Sequence, residues 1–241
     1  MIDWHQAIDQ LRPYVVAIST PDGSGTGWLL SRSAQTGLCG IVTAAHVIDH
    51  AHFWEEPIRL THYASGKTVL LREPQRAISL FEETDLASLI LETGDFPFPE
   101  TPLQLVDQNH FLKPGVEIGW LGFPAVARST LSFFGGRISA YIEEQSSYLI
   151  DGVAINGVSG GPAFRLYGDR VELMGVVSAY IANRATGETL PGVAVVRDVE
   201  RLHEVLADFR SLDEAKEEET PVLDSQPPAS EVVETPTRRP P

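Results

Sequence analysis

Gly157-Val158-Ser159-Gly160-Gly161-Pro162 sets one serine among small, turn-prone residues. In such a turn a hydroxyl can be presented while two backbone N–H groups converge beside it. A serine hydroxyl alone is a poor nucleophile, and needs a base to take its proton and an acid to hold that base. Working outward, Val42-Thr43-Ala44-Ala45-His46-Val47 carries a histidine straight after an apolar strand pattern. Asp85-Leu86-Ala87-Ser88-Leu89-Ile90 carries an aspartate straight before one. Each residue also has a plainer reading: Ser159 as a turn residue, His46 as a strand-end histidine satisfied by backbone, Asp85 as a turn cap like Glu82 and Glu83. Asp85 is preferred over Asp95 as the acid because an apolar strand follows it at once, whereas Asp95 lies in a Pro-rich loop.

The remainder of the chain reads mostly as strands. Residues 3–12 form a short amphipathic helix pattern with Trp4, Ile8 and Leu11 on one face, ended by Pro13. A strand begins at Tyr14-Val15-Val16-Ala17-Ile18, and β-rich runs follow at 26–31, 38–43, 57–63, 67–72, 76–81 and 86–91. A Pro-rich connection over 94–104 leads to a second set at 116–122, 131–142, 147–151, 162–167, 171–178 and 192–196. The spacing predicts an all-β fold of two barrels. Asp198 caps a final helix with Val199, Leu202, Val205, Leu206 and Phe209 as its apolar stripe.

These motifs resemble the trypsin-like serine peptidases, above all the compact bacterial branch that includes the peptidase domain of the HtrA proteins. The matching residues are Gly25-Thr26-Gly27-Trp28, Thr43-Ala44-Ala45-His46, Asp85-Leu86-Ala87 and Gly157 to Pro162. Gly175-Val176-Val177-Ser178 and Pro191-Gly192-Val193 extend the resemblance, which spans roughly residues 14–210. It implies a chymotrypsin-like double barrel: two six-stranded antiparallel β-barrels with a short N-terminal helix and a C-terminal helix. The peptidase domain then fills 1–210, with barrel one at about 14–93, barrel two at about 104–197 and the helix at 198–209. No PDZ-like pattern follows, unlike the HtrA proteins.

The function this resemblance implies is a serine endopeptidase acting on protein or peptide substrates without a cofactor. Ser159 attacks the carbonyl, His46 carries the proton, Asp85 orients His46, and the N–H groups of Gly157 and Ser159 receive the oxyanion. The primary pocket is walled by Val153 to Val158, by Ser178, Ala179 and Tyr180, and by Gly192, Val193 and Ala194. Val153 stands where trypsin has an aspartate, which implies an apolar pocket for aliphatic side chains. Val158 stands where secreted relatives keep the aspartate that pairs with a newly cut N-terminus. The expected alternatives are therefore a site that is always formed, or one gated by a regulatory protein partner that orders the loops near Gly157. The competing function is a catalytically silent binding or scaffolding protein on the same fold.

Composition narrows the classes further. A net charge of −15 argues against nucleic acid, and no apolar run reaches the length of a membrane span. Cys39 is the one cysteine, so no internal disulfide forms, and its apolar strand setting predicts a buried, inert thiol. Met1-Ile2-Asp3-Trp4-His5 lacks the pattern of a signal peptide, so a cytoplasmic location is expected. His46 and His50 have i, i+4 spacing, but with no third ligand at a fixed spacing, His46, His50 and His52 read as solvated loop residues and no metal is expected. Residues 211–241 hold eight acids and three bases among prolines, a composition that predicts a disordered tail.

Overall fold

The computed structural model describes residues 2–33, 35–182 and 189–219, with the side chains of 179–191 and 217–219 excluded. Asp3 opens the first helix, α1 (Trp4–Leu11). Its carboxylate accepts from the Gln6 N–H at 2.8 Å, and Gln6 Oε1 accepts in return from the Asp3 N–H at 3.1 Å. This reciprocal pair satisfies donors that a helix start leaves open. The helix then buries Ala7 and Leu11, and the Trp4 ring rests on Phe133 and Phe164 with centroids 5.5 and 5.7 Å away.

Seven strands follow: β1 (Val15–Ser19), β2 (Ser24–Arg32), β3 (Leu38–Ala44), β4 (Ile58–His62), β5 (Thr68–Leu71), β6 (Ala77–Phe81) and β7 (Leu86–Glu92). They form one antiparallel sheet in the order β5-β4-β1-β2-β3-β7-β6. The sheet curls into a half-barrel rather than the closed six-stranded barrel expected for this half. Its edge strands β5 and β6 are short and fully bury only Leu71 between them, so little apolar surface drives them to pair. Between β3 and β4 lies α2 (Ala45–Phe53), where the sequence suggested only a loop. His46, His50 and His52 are thus helical residues.

The second half closes. β8 (Glu117–Gly122), β9 (Ser132–Ile142), β10 (Ser147–Asp151), β11 (Pro162–Tyr167), β12 (Arg170–Ala182) and β13 (Thr189–Arg197) form a barrel in the order β10-β13-β12-β11-β8-β9. Closure leaves no unpaired strand edge. One buried cluster joins the halves, with Trp28, Leu30 and Val42 from the first meeting Trp120, Phe164 and Val177 from the second. The active-site candidates sit along that seam.

The last helix, α3 (Glu200–Glu219), begins beside Asp198, whose Oδ1 accepts the Glu200 N–H at 3.1 Å. It continues past the expected end at 209. Residues 211–219 are therefore helical rather than tail, because Ala215, Lys216 and the glutamates are good helix formers. Asp213 also accepts the hydroxyl of Ser33, pinning this extension to the first sheet. Residues 220–241, the remainder of the predicted disordered segment, lie outside the described residues. No described helix is long and apolar enough to cross a membrane.

Phe209 fixes α3 to the half-barrel. Its ring covers Gly40 of β3 so closely that a Cβ there would lie 2.6 Å from Cε2. The side chain is 2% exposed. Phe209→Ala should lower the unfolding free energy by about 3–5 kcal/mol, read by guanidinium denaturation. A loss near zero would show that α3 is not part of the folded core.

Candidate active site

Strands β3 and β7 pair from Leu38 opposite Glu92 to Ala44 opposite Leu86. The residues just past that ladder are thereby neighbours: Ala45 and His46 on one side, Asp85 on the other. The Ala45 N–H donates to Asp85 O at 3.1 Å, and the His46 N–H donates to Asp85 Oδ1 at 3.0 Å. His46 Nδ1 lies 3.0 Å from Oδ1 and 2.9 Å from Oδ2 of the same carboxylate. An ionised carboxylate only accepts, so Nδ1 carries the proton and Nε2 is left as an acceptor.

Asp85 reaches this place through a left-handed backbone, φ 48° and ψ 44°, that ends a short 3-10 turn over Glu82–Thr84. Aspartate tolerates that conformation better than most residues. Ser178 of β12, wholly buried, donates its hydroxyl to Asp85 Oδ2. Burial alone would raise Asp85, but the hydrogen bond and charge of His46 outweigh it and hold the carboxyl below its ordinary value. Burial pulls His46 down, yet its hydrogen bond to Asp85 and that negative charge leave it above its ordinary value.

The serine loop is held from the opposite half of the molecule. Thr26 of β2 is wholly buried, and its N–H donates to Ser159 O at 2.8 Å. Its hydroxyl donates to Gly157 O at 2.9 Å and accepts from the Phe123 N–H at 3.0 Å. Gly157 and Gly160 adopt φ of +91° and +87°, where a side chain is strained, and there is no room for one. A Cβ would lie 2.3 Å from Phe123 O at the first and 2.0 Å from Thr26 O at the second.

The Ala125 N–H donates to Asn156 O at 2.7 Å. Because a trans peptide sets its C=O and N–H on opposite sides, the Gly157 N–H points away from Ala125. That N–H and the Ser159 N–H have no acceptor among the described residues. Ser159 Oγ likewise has no hydrogen-bond partner among them, so the Ser159–His46 hydrogen bond is not made in this conformer. His46, Asn156, Gly157, Ser159 and Ser178 line one cleft of about 510 Å³.

His46, Ser159 and the expected oxyanion residue Gly157 therefore share one cleft, and Asp85 reaches it only through its hydrogen bonds to His46. The expected pocket walls are more scattered. Ser178 lines the cleft but spends its hydroxyl on Asp85, and Val153 is 51% exposed in the loop after β10. Ala194 is buried in the second barrel opposite Ile150, and Val193 pairs with Asp151. Gly192 accepts from the Gly152 N–H at 3.0 Å. Val153, Gly192, Val193 and Ala194 do not line the cleft, and the side chains of Ala179 and Tyr180 lie outside the described residues. The sequence reading missed the role of Thr26. Its signal was the flanking glycines: a Cβ at Gly25 would lie 3.0 Å from Ser159 O, and one at Gly27 would lie 3.1 Å from Val42 O. A strand with two such glycines marks close approach of another backbone.

A family model described as Trypsin-like peptidase domain matches residues 25–173, a stretch that includes His46, Asp85 and Ser159. Solved structures resemble the chain at low identity. Rv3671c from M. tuberculosis, in an inactive form, is 21% identical over 85% of this chain and 90% of its own, with a TM-score of 0.58. Deg5 is 21% identical over 84% of this chain and 94% of its own, with a TM-score of 0.60. The serine endoprotease from Yersinia pestis is 20% identical over 87% of this chain and 67% of its own, with a TM-score of 0.62. At these identities the likeness establishes the shared fold. A search of curated protein sequences found no match.

Thr26→Val keeps the shape of the side chain and removes its hydroxyl. It leaves Gly157 O and the Phe123 N–H unpaired in a buried place, at a cost of about 1–3 kcal/mol. Chemical denaturation should read that loss, and Thr26→Ser should recover most of it. Equal stability of the Val and Ser variants would show that the hydroxyl does not hold the loop.

Proposed function

This chain belongs to the family of trypsin-like peptidase domains, serine-type endopeptidases, and from that premise we propose that it cleaves peptide bonds through Ser159, His46 and Asp85. Ser159 Oγ attacks the carbonyl carbon as His46 Nε2 takes its proton. The negative oxygen that forms is met by the N–H groups of Gly157 and Ser159, a pair of donors of the kind whose single loss costs about 3 kcal/mol of barrier. His46 returns the proton to the departing amine, and an acyl group remains on Ser159. Water, deprotonated by His46, then releases the acid. Asp85 holds His46 in the tautomer that leaves Nε2 free and stabilises its cation. The reading is carried by one observation: two residues whose backbone N–H groups have no acceptor among the described residues, Gly157 and Ser159, line the same cleft as an Asp-bound histidine, and the Ser159 hydroxyl is likewise without a partner there.

Control by a protein partner belongs to the same proposal. Ser159 and His46 are not hydrogen-bonded in this conformer, which suits a resting site that closes on demand. Val158 is fully buried in the core, where a cut N-terminus would find no carboxylate. An aliphatic residue before the cleaved bond is also proposed, on sequence grounds alone: Val153, which does not line the cleft, stands where an acid would be needed to pair with Arg or Lys.

Purified protein should react with a fluorophosphonate and hydrolyse peptides, and Ser159→Ala should do neither, with turnover down by about 10⁴-fold or more. His46 must be neutral to accept a proton. Its raised value therefore moves the acid limb of kcat/KM above the ordinary histidine pKa of about 6.5, and Asp85→Asn should move that limb down. Unchanged turnover in Ser159→Ala would remove this mechanism, and full-rate cleavage by the protein alone would remove the case for a gate.

A peptide panel varied at the residue before the cleaved bond tests the pocket. Val, Ile or Leu there should be cleaved fastest, by about 10-fold or more over Arg and Lys. Cleavage confined to Arg or Lys would overturn the apolar pocket.

A further inference from the structure

A second cavity, of about 550 Å³, adjoins the catalytic cleft. Thr20, Gly23, Ser24 and Arg128 line both, so the two are one continuous groove. The walls of the second cavity come from the β1–β2 hairpin and from Tyr63 and Phe123, whose rings lie 5.8 Å apart. Among the described residues, none of 152–158 or 178–194 borders it. Those are the segments assigned to the side chain that precedes the cleaved bond. An extended peptide advances about 3.3 Å per residue in one direction. A substrate that lies against Asn156 and Ser178 on one side of Ser159 and continues past Thr20, Gly23, Ser24 and Arg128 on the other runs into this second cavity.

We propose that this groove receives the residues that follow the cleaved bond, and that Arg128 selects an acidic side chain among them. The proposal rests on the peptidase reading and adds the substrate class on the leaving side. Arg128 is exposed at the junction of the two cavities and has no hydrogen-bond or ion-pair partner among the described residues. The other charges nearby sharpen its effect. Arg12 lies 5.6 Å over the Tyr63 ring, but its guanidinium is bound to Asp9 at 3.0 Å. Asp22 lines the cleft beside His46 and not the second cavity. A substrate acid is therefore opposed by Asp22 in the cleft and meets only the Arg128 cation in the second cavity, which confines the preference to residues that reach it. The Tyr63 and Phe123 rings take the apolar part of the same segment. On a chain of net charge −15, an unpaired cation at the mouth of the groove is the local contrast that an acidic ligand reads.

The test uses Ser159→Ala protein and fluorescent peptides that differ only in Glu or Lys at successive positions after the cleavable bond. At one position Glu should bind about five- to tenfold tighter than Lys, the scale of an exposed ion pair gained against a repulsion. Arg128→Glu should reverse that order, and about 1 M salt should erase it. The ratio is internal to each variant, so altered stability cannot mimic it. A Glu-to-Lys ratio that Arg128→Glu leaves unchanged at every position, or no binding of any peptide, overturns the proposal. The same peptides offered to the protein with Ser159 intact separate the two readings. Arg128-dependent binding without cleavage keeps the groove and removes the peptidase, and cleavage indifferent to Arg128 does the reverse.

Discussion

The hydroxyl of Thr26, donating to Gly157 O and accepting from the Phe123 N–H, is the contact on which the site depends. It sits on the half-barrel and grips a loop of the closed barrel, so it joins the two halves where the serine is presented. The loop's carbonyls are accounted for one by one: Asn156 O by the Ala125 N–H, Gly157 O by Thr26 Oγ1, Ser159 O by the Thr26 N–H. With those acceptors turned into the protein, the N–H groups of Gly157 and Ser159 are left over. Buried backbone donors are nearly always paired. Two that are free on one short loop, in a cleft beside a histidine, are an arrangement held open by the pairing of everything around them.

The β architecture was legible because strands here are short and sharply punctuated. β7 and β10 fall within a residue of the runs read from alternation and turn residues. What escaped was longer in range or shorter in length. Helix α2 has nine residues, too few for its apolar positions Val47, Ile48 and Ala51 to declare a helical period. Whether a sheet closes depends on two strands far apart in sequence finding each other. Nothing in Thr68–Leu71 or Ala77–Phe81 taken singly shows that they stay apart. Helix α3 overran its expected end because composition marks charge, while helix formers such as Glu214 and Lys216 carry charge and helicity together.

The site was legible to the degree that each candidate stands at a strand edge. His46 and Asp85 are brought together by a ladder whose register is set by local apolar alternation, so reading the two strands nearly amounted to reading the pair. Ser178 was read as a pocket wall, yet a small hydroxyl in the apolar run Gly175-Val176-Val177-Ser178 has to find an acceptor once buried. The acceptor is Asp85. The pocket walls resisted because spacing along the chain does not give direction across a barrel. Ala194 points to the interior, and Val153 stands at the surface.

The backbone around Asp85 occurs twice in the molecule, and the comparison isolates what the aspartate is for. Glu82-Glu83-Thr84-Asp85 leads into β7, and Glu143-Glu144-Gln145-Ser146 leads into β10. Both turns are 3-10 and both end in a left-handed residue, at φ 48° and 44°. Each of those residues returns its N–H to the first glutamate, at 3.2 and 3.1 Å. The turn therefore accepts a serine as well as an aspartate, and backbone geometry does not choose between them. Ser146 turns its hydroxyl toward the exposed Glu200. Asp85 instead receives three donors, the His46 N–H, His46 Nδ1 and the Ser178 hydroxyl. Three donors aimed at one oxygen pair require a carboxylate. What selects aspartate at position 85 is its negative charge against His46 and its acceptor for the buried Ser178 hydroxyl, and the turn's backbone geometry asks for neither.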